Sequence, residues 1–450
     1  MADIPVLNWF GNATSYPAVV TDAHSASDIV AVLRDPATYP SPVRPVGSNH
    51  SVTACQVQSG GTMLNMKMDR ILDIGTDTVT VEAGALYIDI AKVLEQHKLQ
   101  FHVNTEIGNL TAGSAACCGT KDGSFPGEFG QVSSYVAGVK MVLPSGDVLE
   151  VTDAQPDLMR KVRCSYGTFG VIYEVTFRVK PLTPMAVHHK TFSLKDLIAN
   201  LPDLKALGYS MMFYVFPFDD AITIEFRKYN PDAQGEPNRT AWQFRNYFWG
   251  TVGPKFAHDT TRDFSNKDIR YGLIDNFSAV VRFNLESLVK SDNTSAPDQM
   301  IRYPHPATES KYTFSLWAFP EDRYPAVLTD YFQFCRDYYE TKGYRSNMLS
   351  VGYRIAQDQN ALLSYSHDGA VVTVDPVSTG DEGWTDFLDA YNRFCDGRGG
   401  IPLLNQTPQL TPAMAKKAFG SKLAEMETAR KTYDPGERLL NGYYRSIFQQ

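Results

Sequence analysis

The chain is 450 residues long, 43% hydrophobic and 20% charged, the balance of a globular protein large enough for two domains. Its formal net charge of −8 lacks the basic excess that a nucleic acid partner needs, and no apolar run reaches bilayer-spanning length. The six cysteines show neither disulfide-framework nor metal-ligand spacing, and Met1-Ala2-Asp3-Ile4-Pro5 lacks the parts of a secretory signal. Reduced thiols, a cytoplasmic location and no bound metal are therefore expected.

In chain order, Ala18-Val19-Val20, a helix over Ala26 to Arg34 and Val43 to Val46 predict an opening βαβ unit. Ser25-Ala26-Ser27-Asp28 has the spacing of a capping box. Ile71 to Ile74 and Thr78 to Ala83 predict a hairpin. Ile88, Ala91 and Leu94 then fall at helical spacing within Tyr87 to His97. Val136 to Glu150 reads as strand, turn, strand, and Ser165 to Val175 as a Gly-punctuated turn running into a strand. These elements place a first domain at residues 1–184. A second domain, 185–412, carries aromatic alternating strands at Met211–Phe216, Ala221–Arg227, Tyr312–Phe319 and Ala370–Val374, with a helix at Tyr324–Lys342. An antiparallel sheet packed by helices on one face is expected there. Pro254 to Ser295 carries no firm assignment. Residues 413–450 are read as a helical return to the first domain, the helix stopping near Asp434-Pro435 because proline lacks the N–H. The class is α+β.

Two stretches carry the chemistry. Val43-Arg44-Pro45-Val46-Gly47-Ser48-Asn49-His50-Ser51 is a strand ending in a tight turn of small residues. Such a turn brings free backbone amides together in a concavity suited to a pyrophosphate. Gly108 to Gly123 holds almost no bulk and no charge before Lys121, so backbone can press against a large flat ligand.

The order and spacing of these segments, from Asn8-Trp9-Phe10-Gly11-Asn12 to Tyr433-Asp434-Pro435-Gly436-Glu437-Arg438-Leu439-Leu440-Asn441, resemble the vanillyl-alcohol-oxidase type of FAD-dependent oxidoreductase. The likeness is greatest to the aldonolactone and alditol oxidases. It implies a two-domain FAD-binding PCMH-type fold with an antiparallel-sheet substrate domain. It further implies FAD held by Arg44 to Ser51, Thr111, Ala112, Gly113, Ser114, Cys117, Cys118, Gly119, Gly170, Val171, Ile172 and Asn441. His50 occupies the position that in such enzymes often bonds covalently to the flavin. Asn49 stands where glycine is usual, a mild departure because Asn tolerates positive φ. Cys117 and Cys118 are expected as small buried residues against the flavin ring, with a redox-active thiol as the other reading.

The polyol enzymes of this family aim a Glu and an Arg, two residues apart on one strand, at the substrate. A His on a neighbouring strand and a Lys complete the set. Here Arg354 matches the arginine, Gly352 stands at the Glu position, the His position falls near Thr373, and the Lys segment becomes Leu403-Leu404-Asn405-Gln406. Arg354 and Tyr353 are thus the expected catalytic pair, with Asn405, Gln406 and Thr373 as substrate contacts. Tyr214, Phe216, Trp317 and Phe319 read either as pocket lining or as plain sheet core. Losing Glu, His and Lys points to a substrate less polar than a sugar alcohol, since each unmatched buried polar group costs about 1–3 kcal/mol. The implied reaction takes hydride from an alcohol or amine carbon to flavin N5, with molecular oxygen yielding hydrogen peroxide. A quinone- or cytochrome-linked dehydrogenase, or a flavoprotein acting on a tethered or macromolecular partner, are the alternatives.

Overall fold

The computed structural model describes residues 5–303 and 311–449, so the reading of Met1 to Ile4 lies outside the described residues. The first helix, Ala26–Arg34, begins as its sequence predicts. Ser25 Oγ accepts from the Asp28 amide, and the Asp28 carboxylate accepts from the His24 amide at 2.9 Å. Its apolar stripe, Ile29, Val32 and Leu33, packs on Ala23, Val43 and Leu64. The flanking strands Val19–Ala23 and Val43–Val46 are not neighbours, however. Thr62–Met66 lies between them, parallel to both. That strand has no alternation to announce it; two methionines, a leucine and an asparagine fill its span.

A six-stranded antiparallel sheet follows. Val171–Pro181 forms its spine, pairing with Val136–Val142, Thr78–Glu82 and, at its far end, Leu99–Phe101. The Tyr87–Gln96 helix packs there through Ile90, Ala91 and Leu94. The short Ala112–Cys117 helix lies so close that a side chain on Gly113 would sit 3.0 Å from Ala83 Cβ, and the Gly113 amide bonds Ala83 O at 2.8 Å. Small residues there are the condition for bringing this helix against the sheet.

Three residues after Pro181 leaves that sheet, Met185–Ser193 begins an eight-stranded one, with all its strand pairs antiparallel. Ser210–Phe216 crosses its middle with every residue buried. Phe213 and Val215 join the core with Leu197, Leu201 and Tyr324, whereas Met212, Tyr214 and Phe216 pack with Trp242, Val281 and Leu285. Helices thus cover part of both faces, not one as expected. The second set comes from Thr240–Tyr247 and Lys267–Ser287, the latter in the region without a sequence assignment. The expected Tyr312–Phe319 strand is broken in two. Thr313–Phe314 pairs with Val377–Ser378, and Trp317–Pro320 with Val371–Val374. The C-terminal helix is also interrupted, because Gly420 adopts φ +54° and ψ −131° between Pro412–Phe419 and Ser421–Tyr433. Among the described residues, no helix is long and apolar enough to cross a membrane.

The Ser350–Ile355 strand meets Val371–Val374 at Gly352 with no room for a side chain. A Cβ there would stand 2.4 Å from Thr373 O. Gly352→Ala is therefore expected to cost about 1–3 kcal/mol, read as a lowered thermal midpoint. An unchanged midpoint would show that the two strands part freely.

Candidate active site

The Gly47-Ser48-Asn49 turn and the 111–118 segment face one another across a cavity of about 940 Å³. Their approach requires glycine: a Cβ on Gly47 would lie 2.2 Å from Thr111 Oγ1. Asn49 takes φ +58°, the left-handed conformation anticipated for it, and its side-chain amide donates to Leu7 O at 2.9 Å. His50 is buried, with its ring 5.0 Å from Trp9 and 6.4 Å from Tyr303, centroid to centroid. Arg44 runs along the floor, donating to Tyr166 O, Gly167 O and Leu439 O, and its Nε is left without a protein partner. Asn49 Oδ1, Asn405 Oδ1 and Gln406 Oε1 are likewise buried and unsatisfied at the rim. A cleft of small residues, a buried cation and several unpaired polar atoms fits an elongated polar cofactor carrying an anionic middle.

Cys55, Cys117 and Cys118 share this lining, and all six cysteines of the chain are unpaired thiols. A hydrogen bond from Cys118, opposed by burial and aided by Arg44, holds Cys117 below the usual thiol range. Burial and the neighbouring Cys117 push Cys118 well above it.

A second cavity, about 960 Å³, adjoins the first, and Leu110, Thr120, Asn405 and Gln406 line both. Its walls are apolar and aromatic, with Tyr214, Trp249, Tyr303, Tyr312, Phe314 and Leu403 prominent among them. Polar groups gather in two places. Glu106 accepts from the Tyr353 hydroxyl and from Arg245. On the other side Asp375 Oδ2 takes Lys121 Nζ at 3.2 Å and Thr373 Oγ1 at 2.9 Å, while its Oδ1 has no partner. The Lys121 ammonium lies 3.6 Å over the Tyr353 ring. Burial pushes the Asp375 carboxyl up to about 6 against the pull of Lys121, and burial lowers Lys121.

Behind the aromatic wall, Glu225 is fully buried among Arg227 at 2.5 Å, Tyr214 at 2.8 Å and His189 at 3.0 Å. Burial works to raise its pKa, yet Arg227 and Arg245, with His189, hold it well below the carboxylate range. Arg227 reaches on to Asp122 at 2.7 Å. Among the described residues no cluster of His, Cys, Asp or Glu could hold a metal ion.

Of the residues expected at the cofactor, Arg44 to Ser51, Thr111, Gly113, Ser114, Cys117, Cys118 and Ile172 line the first cavity. Five do not. Ala112 lies fully buried with its amide bonded to Ala85 O, and Val171 is fully buried at the start of its strand. Gly170 is glycine because a Cβ would meet Met141 Sδ at 2.8 Å, and Gly119 faces the second cavity. Asn441 acts at one remove: its amide binds the carbonyls of Ala54, Cys55 and Val57, fixing the turn that presents Cys55 and Gln56.

The expected catalytic pair divides. Tyr353 lines the second cavity, but Arg354, next along the strand, points to the other face and pairs with Glu321. Alternation puts Val351 and Tyr353, not Gly352 and Arg354, toward the chamber. Thr373 is also corrected: it is fully buried, donates to Asp375 and accepts from the Tyr353 amide, so it supports lining residues without being one. Asn405 and Gln406 stand at the junction of the two cavities. Tyr214 lines the chamber, whereas Phe216, Trp317 and Phe319 are core. Sequence reasoning missed Glu106, Lys121, Asp375 and Arg245. Only Lys121 carried a signal, as the first charge after an uncharged run.

Residues 17–152 match the FAD binding domain family model. The chain is 28% identical over 242 residues to the L-gulono-1,4-lactone dehydrogenase of Mycobacterium tuberculosis, which covers 52% of this chain and 54% of that protein. It is 25% identical over 248 residues to the L-gulonolactone oxidase of Bos taurus, covering 54% of each. The alignment thus spans about half the length of these curated relatives. The crystal structure of cholesterol oxidase from Brevibacterium sterolicum superposes with a TM-score of 0.78 at 14% identity, over 99% of this chain and 96% of that one, which shows a common fold.

Arg354→Ala is expected to leave the spectrum of bound cofactor unchanged and to cost no more than about 1 kcal/mol, because the Glu321 pair is partly solvated. A cofactor spectrum altered by that substitution would return Arg354 to the site.

Proposed function

We propose that this chain is an FAD-linked oxidase of the FAD-binding PCMH type, acting on a small, largely apolar alcohol or amine with molecular oxygen as acceptor and hydrogen peroxide as product. The observation that carries the reading is the junction at Leu110, Thr120, Asn405 and Gln406, residues that line both the small-residue cleft and the aromatic chamber. When bound, FAD would supply a two-electron acceptor for the carbon–hydrogen bond of a substrate held there. Arg44 and the Gly47–Asn49 amides would hold its anionic middle, and His50, buried at the cleft, would anchor it covalently.

The chain's own residues do the positioning. Tyr214, Trp249, Tyr303, Tyr312 and Phe314 enclose an apolar body and exclude water, which strengthens every charge interaction within. Charged groups gather on Glu106, Lys121 and Asp375, suiting a substrate with one polar end better than a polyol. The names of the relatives, lactone oxidase and lactone dehydrogenase, support oxidation at a carbon bearing oxygen and place both acceptor classes among proteins of similar sequence. The unpaired cysteines support a reducing, cytoplasmic setting.

Two measurements test this. His50→Ala should bind flavin that acid extracts, whereas the native protein should keep flavin fluorescence in a denatured gel band; flavin retained by the variant would refute the link. Anaerobic mixing with a panel of alcohols, lactones and amines should bleach the flavin most rapidly with apolar-bodied secondary alcohols, and air should restore its colour within seconds. Reoxidation over many minutes would instead identify a dehydrogenase.

A further inference from the structure

We propose that Asp375 is the catalytic base of this site, taking the substrate's hydroxyl proton on Oδ1 at the inner end of the apolar chamber. The inference rests on the oxidase reading and names the proton acceptor that it requires. In the step, the substrate O–H bond breaks and its proton passes to Oδ1. FAD, when bound, would supply the two-electron acceptor for the carbinol hydrogen and its bonding pair, leaving a carbonyl. Asp375 ends neutral beside the Lys121 cation.

Geometry distinguishes Asp375 from the other buried carboxylates. Both oxygens of Glu106 are engaged, one by Tyr353 and one by Arg245. Glu225 lies behind the wall with Arg227, Tyr214 and His189 on it. Asp122 takes Arg227 and Gln299. Asp375 alone of these four both lines the chamber and keeps an oxygen that no other side chain binds, on a side chain 2% exposed, with the Trp317 backbone amide also acting on the carboxylate. A buried, unpaired acceptor in an apolar wall calls for a donor from the ligand, and a hydroxyl is such a donor.

The surroundings hold that oxygen in place. Val351 and Asp375 exchange backbone hydrogen bonds at 2.9 and 2.7 Å, so the residue is locked to the strand beside it. Thr373 and Lys121 fix Oδ2. Besides Lys121, the ionisable groups that feel its charge are Tyr324, Tyr353, Tyr365, Tyr391 and Cys395, all kept protonated by burial, and Cys164 lies beyond Tyr365. Burial raises Asp375 to about 6. The carboxylate is therefore mostly ionised at neutral pH and basic enough to accept a proton in flight. Because its folded pKa is raised, its contribution to stability is full below pH 4 and lost as pH rises through about 6.

The experiment is flavin reduction under anaerobic conditions across pH 5 to 9, using the most rapid alcohol of the panel and the flavin-loaded full chain. The rate should rise through a single limb near pH 6. Asp375→Asn should slow reduction by at least about 100-fold and abolish the limb. Thr373→Val, which removes a hydrogen bond to the ionised form, should move the limb upward, and it guards against an Asn variant that fails to fold. An Asn variant reduced within tenfold of the native rate, or a limb that stays near 6 in it, would overturn the assignment.

A second arm does not need turnover. Binding of an apolar tertiary alcohol, which has no carbinol hydrogen to lose, is measured by calorimetry over the same pH range. It should tighten above pH 6 in the native protein and become pH-independent in Asp375→Asn. Were no donor to reduce the native flavin, the oxidase reading would fall while this titration still located the hydroxyl site. Equal, pH-independent binding by native and variant proteins would sink the role of Asp375 itself.

Discussion

Two guanidinium groups with almost no access to water hold the halves of this molecule at a set distance. Arg227, in the eight-stranded sheet, and Arg245, in the helix over it, reach Asp122 and Glu106 on the loops that flank the small-residue run, with Glu225 between the two arginines. Charges so deeply buried are tolerable only as a complete set, since removing one member leaves the others desolvated and unpaired at a cost of about 3–5 kcal/mol. An arginine cannot escape by losing its proton, and its planar fork accepts little change of angle. The seam therefore sets the gap between the sheet and the 105–122 segment, and that gap is the chamber.

Against this rigid seam stand places where the backbone itself makes the surface. Gly47 meets Thr111, Gly113 meets Ala83, and Gly352 meets Thr373 O, each at a separation that forbids a side chain. The first two bring backbone and small side chains around the cofactor cleft. The third locks Ser350–Ile355 to its neighbour so that Val351 and Tyr353 face inward.

Three buried carboxylates and the half-buried Glu106 near the chamber have different fates because their surroundings differ, not their chemistry. Glu225, between arginines, is held ionised, whereas Asp375 and Asp122 are pushed upward by burial that their partners only partly offset. Glu106 serves as the hinge between Tyr353 and Arg245. Aromatic walls lower the local dielectric and magnify each difference.

Features that depend on near neighbours in the chain are legible in the amino-acid order itself. Ser25 and Asp28 close their capping box within four residues, and Asn49 turns to positive φ in a tight loop. The two stretches that line the cofactor cleft are each continuous, so their small residues read directly as a cradle. Features made by distant neighbours do not show in this way. Thr62–Met66 becomes a central strand only by insertion between two others, and the 312–319 stretch is divided because its two parts find different partners. Arg354 has the position of a catalytic residue, but alternation along its strand turns it to Glu321, a residue 33 positions away. Glu106, Lys121 and Asp375 lie far apart in the chain, and nothing local marks any of them as a partner of the others. The sequence alone pointed to the class of cofactor, because a tight turn of small residues is a local backbone device. Tertiary structure decided which charges share the chamber, because burial and pairing exist only once separate strands have met.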